Sequence, residues 1–111
     1  MLSLIKILPA PEKRKEVLDI LISNKGPIQA IHSCLACSIC EEEGDIVYIE
    51  LWRTTEDFIR HIRSDLYTRI LGAMELSRKK PEVNFFEISS VKGMELIEAV
   101  RNPDFELSQQ N

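Results

Sequence analysis

The chain has little of several features that mark particular classes of protein. Its 111 residues include three cysteines and four glycines, and its formal net charge is −4. An odd, small number of cysteines argues against a disulfide framework. No Lys/Arg stripe alternates with aromatic residues, so a nucleic-acid-binding surface is not expected. The sequence also shows no phosphate-binding loop, no metal-ligand set and no evident catalytic nucleophile.

Long apolar runs are also missing. The N-terminal stretch "MLSLIKIL" is too short to span a membrane and lacks a signal-peptide cleavage pattern. We therefore expect a cytoplasmic protein with no membrane partner. The composition, 44% hydrophobic and 29% charged, is that of a soluble globular protein. A chain of this length is expected to form one domain, residues 1–111.

The pattern of apolar residues predicts strands and helices in a recognisable order. The first predicted elements are a strand "SLIKIL" and a helix that begins at Pro11 and ends at Gly26-Pro27. A hairpin follows, with strands "CLACSIC" and "DIVYIELW" and a turn at Gly44-Asp45. The next helix is capped by Thr54 or Thr55, broken at Ser64-Asp65 and ended by Pro81, and the last strand is "VNFFEIS". This β-α-β-β-α-β order predicts an α+β, ferredoxin-like antiparallel sheet with both helices on one face. Residues 93–111 form a C-terminal extension, in which "GMELIEAVRN" is either a short helix or an added strand and the end is a loose tail.

The three cysteines lie within seven positions, at Cys34, Cys37 and Cys40. On a strand, side chains alternate between faces, so Cys34 and Cys40 share one face and Cys37 points to the other. Because Cys34 and Cys40 are then roughly 20 Å apart, no single metal ion reaches all three thiols. The sequence therefore predicts no metal site here.

The strand "DIVYIELW" is apolar on both faces. Alternation separates an aliphatic set, Val47, Ile49 and Leu51, from a mixed set, Ile46, Tyr48, Glu50 and Trp52. We expect the aliphatic set to lie under the helices and the mixed set to occupy the opposite face. A second apolar face must be covered by something, and a second copy of the same sheet is the simplest cover. Burial thus predicts a homodimer.

The stretch "IELWRTTEDFIRHIRSDLYTRIL" resembles the signature of the antibiotic biosynthesis monooxygenase family, which has an acidic residue, a Trp, a helix start, a His, and then a Ser and an aromatic residue. The resemblance extends to "PEKRKEVLDIL", to "CLAC" and to "GMELIEA". It implies a dimeric α/β barrel with a pocket in each subunit between sheet and helices. Some relatives oxidise aromatic polyketides or quinols with O₂ and no cofactor, whereas others degrade haem or isomerise small molecules. Ile7 and Leu71 stand where haem-degrading relatives carry an Asn and a His, which disfavours haem degradation.

His61 matches the helix His of the family and is the candidate catalytic base, because an imidazole titrates near neutral pH. Alternatively, it lies at the helix surface or binds a neighbouring carboxylate. Tyr48 and Trp52 could stack on a flat ring, although Trp52 could equally fill the core or the dimer interface. Tyr67 points at the same pocket or lies in the core.

Glu50 is the remaining candidate for substrate binding. A carboxylate on an inward face requires a partner. Arg53, Arg60 and Arg63 are the candidates, and a structural ion pair is the alternative to a binding role.

Three functions stay open at this point. The first is a cofactor-independent monooxygenase that oxidises a small aromatic, phenolic or quinol substrate with O₂, using His61 as base. The second is a non-catalytic dimeric module, a stress protein or one that binds a small hydrophobic molecule. The third is an isomerase on the same scaffold. All three share an apolar pocket with few polar groups and no bound cofactor.

Overall fold

The computed structural model describes residues 1–104 and confirms the predicted order of elements. The strands and helices are β1 (Leu2–Ile7), α1 (Arg14–Gln29, entered through a 3-10 turn at Pro11–Lys13), β2 (Cys34–Glu42), β3 (Asp45–Trp52), α2 (Thr55–Ile62), α3 (Asp65–Glu75), β4 (Glu82–Phe86) and α4 (Met94–Val100). The predicted tail lies mostly in residues 105–111, outside the described residues.

The four strands form one antiparallel sheet in the order β2-β3-β1-β4. This is the order of a ferredoxin-like fold, because the two central strands, β1 and β3, each lead into a helix. Helix α1 packs against α3 and β2, and α2 packs against β3 and α3. The α+β prediction is confirmed, while the dimeric barrel stays a prediction.

Two side-chain caps set the start of the helices that cover β3. The Thr54 hydroxyl accepts a hydrogen bond from the backbone N–H of Asp57 at 3.1 Å. The Ser64 hydroxyl accepts one from Tyr67 N–H at 3.4 Å and donates to the His61 carbonyl at 2.6 Å. Each cap provides an acceptor for a backbone N–H in the first turn of the helix, which has no hydrogen-bond partner within the helix itself. Ser64 therefore ends α2 and begins α3, as predicted, and this fixes the direction of the last turn of α2.

The hairpin turn between β2 and β3 needs two residues with positive φ. Glu43 has φ 48° and Gly44 has φ 91°. Two successive positive values are typical of the tight two-residue turn that matches the twist of its strands. The turn is confirmed, one residue earlier than the predicted Gly44-Asp45 pair. It brings β2 and β3 into the register that places Cys37 opposite Glu50.

The predicted orientation of β3 was wrong. The mixed set lies under the helices, where Tyr48 and Glu50 are fully buried and Trp52 is 1% exposed. The aliphatic residues Ile49 and Leu51 lie on the open face and are partly exposed. Alternation separates the two sets but does not say which set faces the helices. Here the larger aromatic side chains, which hydrogen-bond to Glu50, fill the space beneath α2 and α3.

The predicted faces of the cysteines were also wrong. A β-bulge between Cys34 and Ala36 inserts one residue into β2. As a result Cys34 pairs with Trp52 and Cys37 pairs with Glu50, so both cysteines lie on the helix side of the sheet. Cys40 lies on the open face. A bulge shifts the alternation by one residue, which a simple period of two cannot anticipate.

Three helix boundaries differ from the predictions or complete them. Helix α1 runs through Pro27 to Gln29, because Ile28 in its last turn is fully buried in the core. Helix α3 ends at Glu75, well before Pro81. The segment "GMELIEAVRN", for which the sequence did not decide between a helix and an added strand, contains the helix α4, which has no buried residue. Within residues 1–104, no helix is long and apolar enough to cross a membrane.

Candidate active site

A buried carboxylate, Glu50, organises the polar groups beneath α2. Its Oε1 accepts a hydrogen bond from Trp52 Nε1 at 2.8 Å. Its Oε2 accepts one from the Tyr48 hydroxyl and lies 3.1 Å from His61 Nε2. The residue is fully buried. Three donors therefore converge on one carboxylate, which is how a buried acid is stabilised without an arginine or lysine.

The position of Glu50 follows from the strand pairing. It lies on central strand β3, opposite Cys37 of β2 and Ser3 of β1. Residues directly opposite in an antiparallel pair share a face of the sheet. Since Tyr48 and Trp52 are two positions away along β3, they lie on the same face and can reach the carboxylate from either side.

His61 lies on α2 directly above this row of the sheet and is 3% exposed. Its ring stacks on Trp52, with centroids 4.5 Å apart and planes 28° apart. The Tyr67 ring packs edge-to-face with it, with centroids 5.3 Å apart and planes 75° apart. Since a carboxylate can only accept, His61 Nε2 carries the hydrogen in the contact with Glu50, and we assign the tautomer on that ground. Nδ1 then has a free lone pair, and it has no hydrogen-bond partner among the described residues.

Tyr48 extends the network towards β2. Its hydroxyl donates to Glu50 and receives the thiol hydrogen of Cys37, with sulfur and oxygen 3.4 Å apart. Burial, and then the charge of Glu50, raise the pKa of Tyr48 well above its ordinary value of 10.0. Burial also raises the pKa of Cys37, although the Tyr48 hydrogen bond opposes this. Both groups therefore stay protonated at neutral pH and act as donors.

A cleft of about 200 Å³ opens beside His61 and Trp52. Its other walls come from the loop before β2, from α2 and from the start of α3: Ile31, Ser33, Asp57, Arg60, Ser64 and Leu66. Arg60 donates to Asp57 at 2.9 Å, so the two charges at this wall are paired with each other. The cleft thus has the rings of Trp52 and His61 on one side and the paired charges of Arg60 and Asp57 on another. This combination suits an uncharged, flat molecule.

This arrangement can move a proton. A ligand hydroxyl that reaches His61 Nδ1 could transfer its hydrogen there, and Glu50 would then stabilise the imidazolium through the Nε2 contact. A carboxylate that orients an imidazole and fixes its tautomer does the same in known general-base sites. Trp52 holds the ring from one side by stacking. The chemistry available is therefore removal of a proton from a ligand in a largely apolar cleft.

All five residues named from the sequence lie together. His61, Glu50, Tyr48, Trp52 and Tyr67 form one buried group, and of these Trp52 and His61 line the cleft. Trp52 is 1% exposed and fills the core on the helix side of the sheet, away from the open face; its stacking on a ligand stays a prediction. The helix-surface alternative for His61 is wrong, since the ring is buried, whereas the other alternative, binding to a neighbouring carboxylate, is confirmed by the contact with Glu50.

The predicted partners of Glu50 were wrong, however. Arg53, Arg60 and Arg63 are all exposed, and Glu50 instead accepts from neutral donors on its own strand and from His61. The reason is distance along the strand: residues 48 and 52 share the face of residue 50, whereas the arginines follow the strand end or lie on the outer side of α2.

Sequence reasoning missed Ser3 and Cys37 as neighbours of Glu50. Ser3 is the only polar residue among the inward positions of β1, and that anomaly could have marked it. The β2 bulge concealed Cys37. Within residues 1–104, no three His, Cys, Asp or Glu side chains are gathered as a metal site would require.

Comparison with solved structures identifies the fold that carries this group. The protein Rv0793 from Mycobacterium tuberculosis is 20% identical and superposes with a TM-score of 0.69, over 80% of this chain and 97% of that one. A crystal structure named antibiotic biosynthesis monooxygenase is 20% identical with a TM-score of 0.69, over 81% of this chain and 100% of that one. This chain has the antibiotic biosynthesis monooxygenase fold. A conserved protein from Methanosarcina mazei Go1 is 22% identical with a TM-score of 0.70, over 78% and 90% of the two chains. No family model and no curated protein matches the sequence.

The resemblance read from the sequence is thereby confirmed at the level of the fold. The antibiotic biosynthesis monooxygenase fold does not by itself fix a reaction, because one scaffold carries many functions. The function has to be argued from the buried group around Glu50 and His61.

Proposed function

We propose that the chain is a cofactor-independent monooxygenase that oxidises a small phenol or quinol with O₂. The observation that carries the proposal is His61: its ring is buried beside a cleft, Nε2 is held by Glu50, and Nδ1 has no partner among the described residues. An imidazole held in this way can act as a general base, because Nδ1 can accept a proton. Tyr48 and Trp52 hold Glu50, and Trp52 also lines the cleft.

The chemistry follows from deprotonation. His61 takes the hydroxyl proton of a quinol, and the resulting anion gives one electron to O₂, forming superoxide and a semiquinone radical. The two recombine with a new C–O bond at a ring carbon. The hydroperoxide then loses one oxygen as water, with the proton returned by His61. The balance is quinol plus O₂ to hydroxyquinone plus H₂O, so the substrate supplies every electron.

The size of the cleft narrows the substrate class. A cavity of about 150 Å³ accommodates benzene. The cleft of about 200 Å³ beside His61 therefore suits a single substituted ring better than a three-ring compound such as an anthrone. Arg60, which lines the cleft, is already paired with Asp57 and is not free to bind an acidic substituent. We accordingly propose an uncharged, one-ring phenol or hydroquinone.

The proposed assembly is a homodimer formed through the open face of the sheet. Apolar residues from adjacent strands lie together there: Leu2, Leu4, Ile49, Leu51 and Phe86. Phe86 is 48% exposed in the single chain. A flat apolar face of this kind, opposite the helices, is what a second sheet would cover. Obligate interfaces commonly bury more than about 2,000 Å² in total.

The test is oxygen uptake by purified protein with hydroquinone and methyl-substituted hydroquinones, together with identification of the products. Wild-type protein should consume one O₂ per quinol and yield hydroxyquinone without peroxide. The His61→Ala variant should lose about 10²–10⁴-fold in turnover, the usual contribution of a positioned base. The exposed His32 gives a matched control, and His32→Ala should keep full activity. His61→Gln, which keeps more of the side-chain volume, separates loss of the base from loss of packing.

Two outcomes would contradict the proposal. Uptake equal to the buffer rate for every quinol would exclude the oxidation, and full activity in both His61 variants would exclude the base. If one-ring phenols bind at the cleft without any O₂ consumption, the chain is a ligand-binding module, which is the second function that the sequence left open.

A further inference from the structure

Two buried polar atoms lack a hydrogen-bond partner in the part of the chain that the structure describes. They are Ser3 Oγ and His61 Nδ1, on side chains that belong to residues 1% and 3% exposed. Buried polar groups in folded proteins are nearly always paired, with protein atoms, water or ligand. Each of these two atoms therefore requires a hydrogen-bond partner, and one bound group can serve both.

Both atoms belong to immediate neighbours of Glu50. Ser3 is directly opposite Glu50 in the β1–β3 pair, on the same face of the sheet. Directly opposite residues have Cβ atoms about 4.5–5.5 Å apart. His61 Nε2 lies 3.1 Å from Glu50 Oε2. The donors from Tyr48 and Trp52 reach Glu50 along its own strand, whereas Ser3 flanks it on the side of β1.

The contacts of α2 with the sheet indicate that this helix passes over the row that contains Ser3. The strand pairs place Glu50, Ser3 and Phe85 in one row across the helix-side face of the sheet. On α2, His61 contacts the first of these, Glu50, and Phe58 contacts the last, Phe85, with ring centroids 5.1 Å apart. Ser3 in the middle of the row therefore lies beneath the turn of α2 that carries His61.

The two free atoms are complementary to one kind of group. His61 Nδ1 can only accept a hydrogen in the assigned tautomer, and the Ser3 hydroxyl can donate one. A hydroxyl oxygen satisfies both, because it donates to Nδ1 and accepts from Ser3. We propose that Ser3 is a further binding residue of the site and that Ser3 Oγ and His61 Nδ1 together hold one hydroxyl oxygen.

The inference rests on the proposed function for the identity of that oxygen. In the enzyme with substrate, it is the phenolic oxygen that His61 deprotonates; this oxygen passes beyond the walls of the cleft, because Ser3 is not among the residues that line it. Ser3 then donates to the phenolate as its charge develops, while the proton sits on Nδ1. In the free enzyme, it is an internal water that occupies the same position. Both sources have the same donor and acceptor pattern, so the experiment has to distinguish them.

The experiment uses para-nitrophenol, a one-ring phenol that ionises near neutral pH, whose anion is yellow and which does not need to be turned over. Its binding and the yellow fraction in the bound state are measured for wild type, Ser3→Ala and Ser23→Ala at one pH. Ser23 is exposed on α1 and serves as the matched control. We expect Ser3→Ala to bind the anion about tenfold more weakly, as for loss of one hydrogen bond to a charged oxygen, and Ser23→Ala to behave as wild type.

A second measurement covers the internal water. The ¹⁵N resonance of His61 Nδ1 is recorded without phenol in the same variants. A change in Ser3→Ala alone, with phenol binding unaffected, assigns the hydroxyl oxygen to water and keeps the shared site. No change in either measurement overturns the proposal. Because para-nitrophenol is not oxidised, these results are independent of turnover: a positive result with no quinol oxidation would retain Ser3 and refute only the monooxygenase.

Discussion

Tyr48→Phe isolates one hydrogen bond of the buried group, because it removes the hydroxyl and leaves the ring. Glu50 Oε2 would lose the hydrogen bond from Tyr48 and keep the contact with His61 Nε2. The Cys37 thiol would also lose its acceptor. A hydrogen bond to a charged group contributes about 1.5–3 kcal/mol to stability, and a thiol donor adds little. We therefore expect a loss of about 2–3 kcal/mol in the free energy of unfolding.

The same change at Tyr67 is the matched control. Tyr67 is buried and contacts His61 through its ring, yet no hydrogen bond of its hydroxyl is present among residues 1–104. Tyr67→Phe should change the free energy of unfolding by no more than about 0.5 kcal/mol. Since a loss of 1 kcal/mol lowers Tm by roughly 4–8 °C in domains of about this size, the two variants should differ clearly in thermal unfolding.

Urea unfolding of both variants gives the change in the free energy of unfolding. Repeating both substitutions in a protein that also carries Glu50→Gln shows whether the loss depends on the charge of Glu50. A hydrogen bond between neutral groups contributes only about 0.5–1.5 kcal/mol, so Tyr48→Phe should cost roughly half as much once the carboxylate is gone. Equal effects of Tyr48→Phe and Tyr67→Phe in the natural background would refute the view that Glu50 organises this group.

Two further predictions concern pH and assembly. Burial raises the pKa of Cys34 to about 11 from 9.0, and that of Tyr67 to about 12 from 10.0. Because the folded chain holds these protons more tightly than the unfolded chain, stability is fully present below about pH 9 and falls as pH rises towards 12. Urea midpoints that stay flat from pH 8 to pH 12 would contradict the shifts. Ile49→Asp places a charge on the open sheet face and should convert the dimer to a monomer in sedimentation. Ile22→Asp, on the exposed side of α1, should leave the dimer intact. A monomeric wild type at micromolar concentration would contradict the proposed interface.

The order of elements could be predicted because local signals marked nearly every boundary. Thr54 and Ser64 cap their helices, and Gly44 supplies a positive φ in the hairpin turn. Where the prediction failed, a tertiary contact had decided the outcome. Helix α1 continues past Pro27 since Ile28 fills the core, a gain that no local preference reveals.

The site was predictable in its members but not in its arrangement. Alternation correctly grouped Tyr48, Glu50 and Trp52 on one face, and the sequence signature added His61. The side of the sheet on which they lie depends on which set fills the space under the helices, and alternation carries no information about that. The β2 bulge shifted Cys37 onto the same face. The role of Ser3 depends on the pairing of β1 with β3, which becomes visible only when the strands are assembled.

The most direct test of the central claim is the tautomer of His61 in solution. The chain contains two histidines, so His32→Gln leaves a single imidazole, and long-range ¹H–¹⁵N correlation spectra then report on His61 alone. If Glu50 holds the ring as described, Nε2 carries the hydrogen in the neutral form and Nδ1 is the bare nitrogen, and Glu50→Gln changes this pattern. A neutral imidazole with its hydrogen on Nδ1 would contradict the account, because no lone pair would then be available there to take a proton from a bound phenol.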